Sequence, residues 1–139
     1  MKNYYFDDLG NFVGTFKNFK LKSQFINDKP WNVNDHNYNN HKITVTNTET
    51  KKSISFEFWG SMMNPQINSK SDLLGAFEAF LLDSIYGNYD FEEFCQSLGY
   101  NPDSIKDYKI YQACVKSYIK LEKISSITEA ETIINLINE

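Results

Sequence analysis

The chain contains no arginine; all fourteen of its basic residues are lysine. Arginine supplies the planar fork that grips phosphate or guanine through two parallel hydrogen bonds, so its absence argues against a sequence-specific reader of DNA. Histidine is scarce as well. His36 and His41 lie near Asp35 in an Asn-rich stretch, at a spacing that matches no helical ligand pair and with no fourth ligand evident. The two cysteines, Cys95 and Cys114, stand far apart in apolar helical surroundings. They form neither a C-x-x-C pair nor a disulfide framework, and two buried free thiols are expected. The six glycines are scattered and make no phosphate-cradling loop. No apolar run approaches the roughly 18 residues of a membrane helix, and residues 1–8 lack the charged-then-apolar order of a signal segment. Together these absences predict an intracellular domain with no cofactor, no metal and no membrane contact.

What is present is largely apolar and aromatic. The 139 residues are 41% hydrophobic and 16% aromatic, enough for one core and too apolar for a disordered chain. A single α+β domain over 1–139 is expected, β-rich over 1–70 and helical over 71–139. The predicted architecture is an N-terminal antiparallel hairpin or small sheet packed against a C-terminal bundle of about four helices.

In the first half, 12–16 and 19–26 read as short strands, and 32–40, with five Asn, as a loop. Residues 42–46 and 53–59 alternate with period two and enclose a polar turn over 47–52, which predicts an antiparallel pair ended by Gly60.

In the second half the period becomes helical. A helix over 72–86 is expected, with Ser71 as its N-cap, Gly87 as its stop, and Gly75 as a gap that admits a neighbouring element. Asp90 and Glu93 outline a capping box for a helix to Leu98, ended by Gly99. The longest helix is predicted over 102–124, with Pro102 at its first position. Its apolar arc runs through Ile105, Tyr108, Tyr111, Val115, Tyr118 and Ile119, widened by Ile110, Cys114, Leu121 and Ile124, and is broad enough for contact from two sides. A last helix is placed near Thr128, with Glu131 completing a second capping box.

Few constellations suggest catalysis. Neither Cys95 nor Cys114, nor Ser61 or Ser104, has a base and an orienting group in its sequence surroundings. Glu92 with Glu93, and Asp103 with Asp107, are the carboxylate pairs a hydrolase or metal nuclease would use, yet all sit in predicted first turns, where the helix dipole favours negative charge. No catalytic residue is assigned.

The charge is uneven. Residues 1–70 hold nine Lys against six Asp and Glu, a balance of +3, whereas 71–139 hold five against twelve, a balance of −7. An acidic half repels nucleic acid and suits cationic surfaces, including protein channels that hold nucleic acid. Between Phe16 and Phe25, Lys17, Lys20 and Lys22 interleave with aromatics, a pattern able to track and stack single-stranded nucleic acid.

Phe56-Glu57-Phe58-Trp59-Gly60-Ser61, then 91–100 reading F-x-x-F-C-x-x-x-G-Y, then Asp103-Ser104 and Ile110-Tyr111-Gln112-Ala113, form a recurring order of short motifs. This pattern resembles that of a group of small, generally uncharacterised proteins encoded by phages and integrated elements, and an anti-CRISPR or other anti-defence role is an expectation for this chain. The likeness covers about 41–124. It implies a mobile-element origin and a host-cytoplasmic setting, and it transfers no catalytic residue.

The leading expectation is a non-enzymatic binding protein that inhibits a host defence protein, such as a CRISPR effector, in competition with nucleic acid. The expected contacts are Asp83, Asp90, Glu92, Glu93, Asp103 and Asp107, with Trp59 and Tyr100 as aromatics that follow element ends. The alternative is a single-strand-binding accessory protein using the Lys/aromatic N-terminal segment.

Overall fold

A computed structural model of the protein describes residues 4–6, 12–25, 41–58 and 70–138. Five strands come first: β1 (Tyr4–Phe6), β2 (Phe12–Phe16), β3 (Phe19–Phe25), β4 (His41–Asn47) and β5 (Ser53–Phe58). Four helices follow: α1 (Lys70–Gly87), α2 (Phe91–Leu98), α3 (Ile105–Leu121) and α4 (Ile127–Ile137). The class is α+β, with the strands and helices segregated along the chain. Two compact units divide between Ala76 and Phe77.

The sheet is a five-stranded antiparallel meander in chain order. Alternation fixes its two faces. In β3, Phe19, Leu21 and Ser23 are buried, whereas Lys20, Lys22 and Gln24 are exposed. The register sets Leu21 beside Val45 and Val45 beside Ile54, which makes an apolar row on one face. On the other face, Lys20 lies beside Thr46 and Thr46 beside Ser53, with the last two hydroxyls 2.8 Å apart. A one-residue slip would exchange these rows, so burial holds the register. The buried Ser23 hydroxyl is satisfied by donating to the Phe12 carbonyl at 3.3 Å.

At one end of the sheet two hairpin tips are joined. Phe16 pairs with Phe19, leaving Lys17 and Asn18 as a two-residue loop. In the β4–β5 loop, the Lys51 N–H donates to the Asn47 carbonyl at 2.7 Å and the Asn47 N–H to the Lys52 carbonyl at 2.9 Å. Asn47 is only 4% exposed. Its Oδ1 accepts from the Glu49 and Thr50 N–H groups and from Asn18 Nδ2, at 3.0, 3.3 and 3.3 Å. Thr48 in turn donates to the Asn18 carbonyl through its N–H at 2.8 Å and its hydroxyl at 3.0 Å.

The strands expected over 12–16, 19–26 and 42–46, and the pair completed by 53–59, are all present within a residue or two. The expectations for 32–40, for Asp35 and His36, and for Trp59, Gly60 and Ser61 lie outside the described residues.

The helices differ from expectation at their ends. The first begins at Lys70, which puts Ser71 inside it. Gly75 is exposed and, among the described residues, has no atom within 4 Å of where a Cβ would sit, so none of them uses the gap. At 18 residues, α1 exceeds α3, which has 17. Pro102 lies in a turn ahead of α3; the N-cap is Ser104, whose hydroxyl accepts from the Asp107 N–H at 3.2 Å. The last helix is capped by Ser126, accepting from the Glu129 N–H at 3.1 Å, two residues before the expected pair. Both boxes obey the same rule, and a serine in extended backbone is the better cap. The helix to Leu98 matches its prediction: Asp90 Oδ1 accepts from the Glu93 N–H at 2.8 Å, and Gly99 closes it at φ 75°.

Candidate functional site

Five of the six acidic candidates lie on or beside the α2–α3 hairpin, and the sixth, Asp83, lies on α1. Its short second helix is two-faced by spacing. Phe94 and Cys95 point inward with Phe91 and Leu98 half-buried, whereas Glu92, Glu93, Gln96 and Ser97 are exposed. Inward, Phe94, Cys95 and Cys114 make one buried cluster, packed by half-buried Tyr86, Tyr89, Phe91, Tyr100, Ile110 and Tyr111. Phe94 stacks on Tyr100 with centroids 5.3 Å apart and meets Tyr111 at 5.1 Å. Phe91 sets its edge against Tyr108 at 5.0 Å. The Tyr111 hydroxyl donates to the Tyr89 carbonyl at 2.6 Å, tying α3 to the segment that enters α2.

The six expected carboxylates take different roles around this cluster. Asp90 caps α2. Asp107 is half-buried, and its Oδ2 accepts from the Asn101 N–H at 2.8 Å, so it fastens the turn between the two helices. Asp83 sits at the rim; its side chain reaches solvent, yet enough protein surrounds it to push its carboxyl upward. Glu92, Glu93 and Asp103 are exposed, and their carboxylates have no hydrogen-bond or ion-pair partner among the described residues. Of the two aromatics, Tyr100 is half-buried on Phe94, and Trp59 lies outside the described residues.

The field of these acids reaches the core. Burial, with Asp83 nearby, pushes the Cys114 thiol up to about 11. Burial and then the Asp107 charge raise the Cys95 thiol, and burial, Asp90 and Tyr108 raise the Tyr111 hydroxyl. Both thiols therefore stay protonated at neutral pH and are poor nucleophiles. Both are free and buried, as the sequence predicts. Among the described residues, no three His, Cys, Asp or Glu gather into a metal-binding group. No helix among them is long and apolar enough to cross a membrane.

The outer side of α3 departs from the two-sided helix expected. Ile105 is 75% exposed and Ile119 55%. Ile105, Lys106, Lys109, Ile110 and Ala113 line an open groove of about 560 Å³. Helical spacing alone makes no distinction between a covered apolar arc and an uncovered one.

The N-terminal candidates divide by face. Phe12 and Phe19 are each 1% exposed and offer no ring to a base, whereas Lys17, Lys20 and Lys22 are on the surface. Sequence reading missed that Lys17 and Lys51 hold left-handed backbone, at φ 56° and 67°. The signal was there in part, since both occupy short polar connections between alternating runs.

An α+β protein with an acid-lined helical hairpin and chemically quiet thiols is the class these features define. Comparison with protein-family models, curated proteins and solved structures finds no match.

Proposed function

We propose that the protein is a non-enzymatic inhibitor of phage or mobile-element origin, acting in the host cytoplasm. It docks its acidic helical surface on a cationic region of a host defence protein, such as the nucleic-acid channel of a CRISPR effector. The observation that carries this reading is the outward pair Glu92 and Glu93, on a helix whose inner face is locked into an aromatic cluster. Carboxylates carried on a backbone that is already packed in place need no ordering of the helix when they meet lysine or arginine, which favours their use in recognition. Charge segregation adds to it. Over 77–139 eleven Asp and Glu stand against five Lys, and each of those lysines lies on α3 or two residues past it, leaving α2 purely acidic.

The test spares the two structural carboxylates, Asp90 and Asp107. A variant carrying Asp83→Asn, Glu92→Gln, Glu93→Gln and Asp103→Asn is compared with the parent in DNA cleavage by a panel of purified CRISPR effectors, across a salt series. The parent should inhibit at least one effector, and the variant should be at least about tenfold weaker at low salt with a flatter salt dependence. Equal inhibition by both proteins, or none by the parent, overturns the reading.

A further inference from the structure

We propose that the joined hairpin tips of the sheet form a second, basic site, which takes the phosphodiester backbone of nucleic acid without reading its sequence. The site shares no residue with the acidic helical surface and stands or falls independently of it.

Residue and backbone are mismatched at both tips. Lys17 and Lys51 are the only non-glycine residues with positive φ among those described. In that region the Cβ of an L-residue crowds the chain, and glycine or asparagine is the residue of ease. This chain has sixteen Asn and uses none at either position. Asn and Lys codons differ only in their third base, so a compositional drift toward such codons supplies Asn as readily as Lys. Lysine at both tips therefore reads as a side chain retained against its backbone, the pattern found where strain accompanies function.

The two tips are also one structure. Asn47 Oδ1 holds its own loop and Asn18 Nδ2 together, and Thr48 holds the Asn18 carbonyl. The lysines thus emerge from a common hydrogen-bonded base. Lys52 adjoins one of them, and Lys20 opens the polar face of β3 beside the other; all four are exposed, and the two tip segments, 16–20 and 47–53, hold a single acid, Glu49. Four exposed ammonium groups spread over two neighbouring tips suit a row of phosphates better than one small anion. Lysine contacts of this kind act as point charges on the backbone and carry no base preference.

The experiment titrates a labelled oligothymidylate with the full chain by fluorescence anisotropy over a salt series, alongside thermal melting. Lys17→Asn/Lys51→Asn should melt higher than the parent and bind more weakly. The slope of log K against log salt should fall by about 1.4 in magnitude, roughly 0.7 for each single-strand phosphate that is no longer neutralised. Lys17→Arg/Lys51→Arg, which keeps the charge, should keep the binding. An asparagine variant with unchanged affinity and slope overturns the proposal, as does an arginine variant that binds no better than the asparagine one. Failure of the parent to bind at low salt also overturns it, and leaves the inhibition assay for the acidic surface unaffected.

Discussion

Gly87 lies against the main-chain carbonyl of Cys114, so closely that one added methyl group would collide with the backbone of α3. The last residue of α1 therefore serves a close crossing; its φ is not left-handed, unlike that of Gly99. Gly75, in the same helix, has open space around it. Gly87→Ala should destabilise the protein by about 3 kcal/mol, because neither backbone can yield as a side chain would. Gly75→Ala should stabilise it by about 0.5–1 kcal/mol, as expected for an exposed helix interior. Urea unfolding of both variants checks the pair, and a similar cost at the two sites would contradict the crossing.

The buried thiols should be chemically silent. At neutral pH, iodoacetamide should modify neither Cys95 nor Cys114 in the folded protein and both after unfolding in guanidinium, as read by intact mass. Their raised values also set a pH dependence. A group that holds its proton more tightly when folded contributes stability that is intact below its unfolded value and lost above it. For Cys114 that loss should run from about 9 to about 11. Alkaline melts of Cys114→Ala should show a shallower decline than those of the parent.

Asp83 should behave in the same sense at lower pH. Burial raises its carboxyl, so the folded state favours the protonated form. Its contribution is fully present below the ordinary aspartate value of about 4 and is lost as pH rises through the folded value. Asp83→Asn should therefore leave melting unchanged near pH 3 and raise stability near pH 7. The gain should stay below about 0.5 kcal/mol, since solvent reaches the group. A variant less stable at pH 7 would show that the carboxylate makes a favourable contact.

The side-chain oxygen of buried Asn47 is the acceptor for three donors. Asn47→Ala should cost about 2–3 kcal/mol, because the loop N–H groups lose a partner in a site water reaches poorly. Asn47→Asp keeps the acceptor oxygen and should cost less. Hydrogen exchange should show the Thr48 amide losing protection in the alanine variant, since it reports the bond to the Asn18 carbonyl.

Much of the fold was legible because its signals are local. Period-two runs marked the strands, and Asp90 with Glu93 and Gly99 bounded α2 to the residue. The errors fell where two local signals competed. Ser104 outranked Pro102 and Ser126 outranked Thr128 as helix starts, and in each case extended backbone with a hydroxyl aimed at the third N–H decided the matter. The candidate site can be read in the sequence as a set of acids, but not as the separate structural roles that Asp90 and Asp107 take. Nothing in the spacing of Asp103 and Asp107 says that one is exposed and the other holds the Asn101 N–H. Ile105 and Ile119 match the helical period of the buried residues, yet they face outward.

On its own, the amino-acid order determined four of the five strands, though not β1, the positions of the four helices to within a few residues, the identity of the buried thiols and the division of charge between the two halves. Each of these follows from side-chain periodicity, capping chemistry or composition within a few residues. Tertiary structure alone decided that Gly87, and not Gly75, is the close crossing, which side of α3 is covered, and that two lysine-bearing tips share one asparagine. Those outcomes depend on which distant backbone or side chain comes to lie alongside, and no local pattern carries that information.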